Sequence, residues 1–143
     1  MPSTDTTVFV ASTDTTVCEV LARVVEAAGP QAIRGQVGSS ATQVVGQVVD
    51  ADADVLVLDL GADNHEVLSD LRGRGGPVAT EVRVVVIGTG PATGRLAWLS
   101  GADGFLVRPF ADTELIGAID AALTASEADR ASVRASAAEA LRV

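Results

Sequence analysis

The chain has 143 residues, 48% hydrophobic and 20% charged, with a formal net charge of −9 and a pI near 4.4. That length fits one domain with room for a proper core, and the composition is globular rather than disordered. An acidic surface repels phosphate backbones and argues against direct nucleic-acid binding, and a single cysteine and a single histidine exclude a Cys/His zinc cluster or a disulfide framework.

No apolar run reaches membrane length and residues 1 to 7 are polar, so neither a spanning helix nor a signal peptide is expected and the chain reads as cytoplasmic. All ten basic residues are arginine. In chain order, "TVFVA" (7 to 11) reads as a first strand, and Asp14 as the N-cap of a helix carrying Val17, Val20, Leu21, Val24 and Val25. That helix stops at Gly29-Pro30. "AIRGQV" (32 to 37) is a weaker strand whose Gly35 suggests an edge, and Ser39 or Ser40 opens a helix with Val44, Val45, Val48 and Val49 on one side. "DVLVLDL" (54 to 60) is apolar on both faces, as a central parallel strand must be.

A helix over 65 to 73 follows, with Val67, Leu68 and Leu71 at core spacing, and then a loop over 73 to 81. "VRVVVIG" (82 to 88) is a second doubly buried strand, residues 91 to 100 a short helix, and "GFLV" (104 to 107) a fifth strand. Asp112 is expected to cap a helix through Leu115, Ile116, Ile119 and Leu123. Five βα repeats predict an α/β fold, a flavodoxin-like doubly wound five-stranded parallel sheet in the order 2-1-3-4-5. Functional groups then collect at the carboxyl ends of the strands: Ser12, Thr13, Asp59, Gly88, Thr89 and Arg108.

Residues 118 to 143 hold neither glycine nor proline, so the last helix is expected to run on through Val133, Ala137 and Leu141. Its apolar seam is mostly alanine. That predicts a solvated linker toward a further module in preference to a dimerising segment, with the domain over 1–124 and the extension over 125–143.

Asp59 at the end of "VLVLDL", Arg108-Pro109-Phe110 after the fifth strand, and "GADGFLVRPF" as a unit carry a resemblance. Over about residues 7 to 124 the chain resembles the receiver domain of bacterial two-component response regulators. The resemblance implies that Asp59 stands at the phosphoacceptor position and Arg108 at that of a lysine preceding a cis proline. It makes Phe105 the aromatic switch residue and Glu66 the late acid downstream of the acceptor. It further implies a Mg²⁺ ion held by the acceptor, by an acidic pair after the first strand and by the backbone at Gly61. A hydroxyl after the fourth strand completes the family's site.

Phosphoryl transfer to aspartate works through position and charge neutralisation, and Mg²⁺ needs hard anionic ligands to shed its waters. The chain departs from the family where that matters: the acidic pair falls on Ser12 and Thr13, and the hydroxyl position on Gly88 with Thr89 adjacent. Arg108 keeps a positive charge, but a planar fork does not replace a flexible ammonium one for one. The pattern resembles an atypical receiver, or pseudoreceiver, a signalling and protein-interaction module without turnover and without a resident cofactor. Asp59 then reads as the ion-pair partner of Arg108 ahead of an active phosphoacceptor.

Two alternatives stay open. One is a conventional response regulator phosphorylated on Asp59 by a histidine kinase with Mg²⁺; the other is the amino-terminal regulatory domain of a pilus-assembly or localisation ATPase or of an output enzyme. The partner is expected to be a protein, a histidine kinase or downstream effector, with a homodimer through Val133, Ala137 and Leu141 as a further option. Among the remaining residues, Cys18 reads as core, His65 as a solvent-facing helix start, Trp98 as partly buried, and "GTGPATG" (88 to 94) as a mobile loop that lacks a phosphate-loop ending.

Overall fold

A computed structural model describes residues 5–74, 76, 79 and 81–141. Five strands, β1 (Thr7–Ser12), β2 (Gln31–Arg34), β3 (Val55–Asp59), β4 (Arg83–Gly88) and β5 (Gly104–Val107), form one parallel sheet in the order β2-β1-β3-β4-β5. The order and class are those the βα repeats predict. The helices are α1 (Thr15–Ala27), α2 (Ala41–Asp50), α3 (Asn64–Arg74), α4 (Pro91–Leu99), α5 (Asp112–Thr124) and α6 (Glu127–Ala140), with a 3₁₀ turn at Gly61–Asp63.

Alternation along the strands splits the core into two layers. Leu56 and Leu58 of β3 point to the layer containing α2 and α3, whereas Val55 and Val57 point to the one containing α1 and α5. Every residue of β3 is buried, Asp59 included. The strand is therefore fixed from both faces, and so is the carboxylate at its end. Cys18 is core, and burial pushes its thiol above the ordinary range.

The caps follow local chemistry. Asp14 Oδ1 accepts hydrogen bonds from the Thr16 and Val17 amides at 2.8 and 3.0 Å. Ser40 and Gln43 form a reciprocal capping box at the start of α2. Asp112 departs from expectation. The N-cap is Ala111, which makes no side-chain cap, and Asp112 is the first helical residue. Its carboxylate acts on the helix dipole from the first turn instead. The second strand ends at Arg34 rather than 37, and α3 reaches Arg74, into the expected loop over 73–81, of which residues 75, 77, 78 and 80 lie outside the described residues.

The carboxyl-terminal segment corrects the sequence reading most. Instead of one continuous helix, the chain breaks at Ala125 and Ser126, both extended, and restarts with Ser126 Oγ accepting from the Asp129 amide. The restarted helix folds back onto α4. Only Arg130 and Ala138 of α6 are buried among the described residues. A thin alanine seam did not reveal this docking because charge supplies the contact.

That charge centres on Asp103, just before β5. Arg130 Nε donates to its Oδ1 at 2.7 Å, Arg134 Nη2 to Oδ1 at 3.0 Å, and Arg72 Nη2 to Oδ2 at 2.9 Å. The Val84 amide donates to the same Oδ2 at 2.9 Å. Burial lowers the Arg72 guanidinium to about 10, with Asp103 opposing the shift. Three elements, α3, β4 and α6, are thereby joined through one carboxylate.

Candidate functional site

The parallel register brings the strand ends together, with Ser12 of β1 directly beside Asp59 of β3. Gly88 ends β4, and Arg108 follows β5 with a cis peptide bond to Pro109, the geometry the resemblance implies. Gly61, with a left-handed φ of 61°, turns the chain out of β3 into the 3₁₀ turn without the steric strain of a Cβ. Asn64 secures that turn: its Oδ1 accepts from the Leu60 amide at 2.8 Å and its Nδ2 donates to the Ile87 carbonyl at 3.1 Å.

These residues line one cleft of about 480 Å³, to which Ser12, Thr13, Asp14, Asp59, Gly61, Gly88, Thr89, Thr93 and Arg108 all contribute. Every strand-end residue picked out in the sequence is present; Asp14 and Thr93 are additions. Thr93 sits one turn into α4, where only the fold brings it back to the strand ends. Phe105 does not line the cleft but packs behind it.

At the centre, Arg108 holds Asp59 with a two-point fork. Nη1 donates to Oδ1 at 2.8 Å and Nη2 donates to Oδ2. Donating to Asp59 in turn holds the Arg108 guanidinium above its ordinary range. Ser12 Oγ stands 3.5 Å from Oδ2, a long contact, and accepts from the Asp14 amide at 3.2 Å. Both carboxylate oxygens of Asp59 therefore already face protein donors. The arrangement neutralises the acid without a metal ion.

The donor set does not fit Mg²⁺. The positions of the acidic pair carry the neutral side chains of Ser12 and Thr13, and Asp14 spends its carboxylate on capping α1. Among the described residues no group of three His, Cys, Asp or Glu side chains could hold a metal ion. A cation placed here would meet one carboxylate that is already paired with a guanidinium.

The fourth-strand position is filled in a different way. A Cβ at Gly88 would lie 2.7 Å from Phe105 Cε1 and 3.0 Å from Thr93 Cγ2. A Cβ at Gly94 would lie 2.7 Å from Phe105 Cδ2 and 2.9 Å from Leu141 Cδ1. The half-buried Phe105 ring thus occupies a slot made by two absent side chains, and the end of α6 closes it. Thr89 is exposed at the rim, so on the β4–α4 side of the cleft the hydroxyls are those of Thr89 and Thr93, facing Ser12 and Thr13 across it.

Two other sequence assignments, those of His65 and Trp98, land as read. His65 is exposed at the start of α3, sharing a 2.9 Å hydrogen bond with Ser100 Oγ. Glu66 is exposed, and Trp98 is partly buried against the α2–α3 layer. The sequence reading missed the Asp103 cluster altogether. Its signal lay in the spacing of Arg130 and Arg134, which puts two guanidinium groups on one helix face.

No family model matches the chain, and no curated protein matches it in sequence. Solved structures do match. A putative response regulator from Chloroflexus aurantiacus is similar with a TM-score of 0.73 at 20% identity, over 84% of this chain and 98% of the other. An orphan response regulator of H. pylori gives 0.68 at 16% identity, over 85% and 99%. A chemotaxis response regulator of Vibrio cholerae gives 0.68 at 15% identity, over 82% and 98%. The chain has the fold of these response regulators.

Proposed function

We propose that the chain is an atypical receiver-like signalling module, read out by protein contact and without enzymatic turnover. Phosphorylation at Asp59 assisted by Mg²⁺ is impaired or absent. The observation that carries this reading is the Asp59–Arg108 fork beside the uncharged Ser12 and Thr13. A paired carboxylate is a poor nucleophile, and an ion that needs several oxygen anions finds one.

The partner face is formed by α4, β5 and α5, with Phe105 and the 88–94 segment as its movable parts. Of the six large apolar side chains left exposed among the described residues, Leu96, Leu99 and Val107 lie on α4 and β5. Exposed apolar side chains gathered on adjoining elements favour a protein partner, a histidine kinase or a downstream effector. No helix among the described residues is long and apolar enough to cross a membrane.

Incubation with a small phosphodonor and Mg²⁺, followed by intact mass measurement, is expected to leave the mass unchanged. A single added phosphoryl group that disappears in Asp59→Asn overturns the reading. It would establish the conventional phosphoacceptor instead, an alternative supported by the half-exposed, releasable Arg108 side chain.

A further inference from the structure

We infer that α6 is a detachable occupant of the α4 flank of the partner face, and that the surface beneath it is a receptor for a helix presenting two arginines one turn apart. The inference rests on the proposed protein-contact role of the α4–β5–α5 face. It adds what packs on the α4 flank, beside the still exposed Leu96, Leu99 and Val107, and the chemistry that replaces it.

The acceptors under α6 form a set suited to guanidinium groups. Asp103 receives Arg130 at 2.7 and 3.2 Å and Arg134 at 3.0 Å. The Ala102 carbonyl accepts from Arg134 Nε at 2.8 Å, and Glu127 of α6 itself accepts from Arg130 Nη1 at 2.7 Å. Arginine is the side chain matched to such a notch, because its planar fork reaches a carboxylate and a carbonyl together.

The attachment is polar and local. Among the described α6 residues, the buried apolar contribution is Ala138, while Val133 stands exposed. The connection to α5 is the extended Ala125–Ser126 pair, which belongs to neither helix and is tied to β4 by one polar contact, Arg83 Nη2 donating to the Ala125 carbonyl at 2.9 Å. With α6 lifted, Asp103 retains Arg72 and the Val84 amide, so the body of the domain keeps its carboxylate paired. A helix held by few buried apolar atoms opens before the core does.

Opening also reaches the cleft. The side chains of Leu141, just past α6, and of Phe105 both crowd the space above Gly94, and the Phe105 ring also lies against Gly88 on the wall of the Asp59–Arg108 cleft. A partner helix that displaces α6 removes Leu141 from that space.

Hydrogen exchange on the intact chain tests this first. Amides of α6 are expected to exchange at least about ten-fold faster than those of β3 and β4. Exchange of α6 at the rate of the core overturns the inference without any substitution. In Arg130→Ala/Arg134→Ala, α6 exchange is expected to rise by about a further ten-fold while β3 and β4 stay protected. Global unfolding of that variant also overturns it, because α6 would then be part of the cooperative core.

A peptide of residues 126–141 is then added to the opened variant, with Trp98 emission on α4 as the readout. Binding is expected for the peptide with both arginines and lost when both are alanine; equal binding, or none by either, overturns the receptor. The phosphodonor experiment reads Asp59 independently. A phosphorylated Asp59 with a detachable α6 removes the proposed function alone, and an unmodified Asp59 with a core-like α6 removes this inference alone.

Discussion

Asp59 and Asp103 are both held by arginine, and they lie in contrasting surroundings. Asp59 is 10% exposed in its side chain and its partner Arg108 is 48% exposed, on the edge of an open cleft. Asp103 and Arg130 are each 3% exposed, with Arg72 and Arg134 converging on the same carboxylate. The same ion-pair chemistry therefore serves two ends. At Asp103 the pair is shielded and joins elements distant in sequence; at Asp59 one partner can swing into water. Burial and the number of partners set how readily each carboxylate gives up a partner.

The largest break in that comparison is expected from Asp103→Asn. It leaves the buried Arg72 and Arg130 without their carboxylate and should destabilise the fold by about 3–5 kcal/mol in urea denaturation. Gly88→Thr comes next. Its Cβ meets the Phe105 ring, an overpacking of about 1–3 kcal/mol. Adding Phe105→Leu should recover part of that loss, giving a non-additive double-mutant cycle.

Arg108→Ala is expected to cost about 1 kcal/mol or less, since the cleft lets water reach Asp59. Equal losses from Arg108→Ala and Asp103→Asn would erase the contrast. The smallest effect is at the surface clasp of Glu19 with Arg34 and Arg23. Their hydrogen bonds lower Glu19 from 4.5 to about 2. Because the folded value is depressed, its contribution is present above the unfolded value and fades as pH falls toward about 2. Titration by NMR should show that low midpoint, moving up toward 4.5 in Arg34→Ala.

The sheet was legible because hydrophobic runs such as 55–58 and 84–87 need burial on both faces, and the order of βα units leaves few topologies. The strand-end residues of the cleft were legible for the same reason: a parallel sheet gathers them whatever their type. Thr93 and Asn64 were not, since each reaches the cleft or its supporting loop only through a helix orientation. The docked α6 escaped because hydrophobic periodicity is blind to a contact made by guanidinium groups. Asp103 sits in "GAD", which looks like an ordinary turn until three arginines are placed around it in space.

The slot at Gly88 and Gly94 has a consequence for how the sequence can change. A hydroxyl residue at position 88 carries an overpacking cost while the Phe105 ring stands within 2.7 Å of where its Cβ must go. Relief requires the ring to move or to shrink, and Gly94 limits the space on its other side. A larger residue at 88 and a smaller one at 105 are therefore each unfavourable alone and better tolerated together. The size of one side chain sets what the other can be.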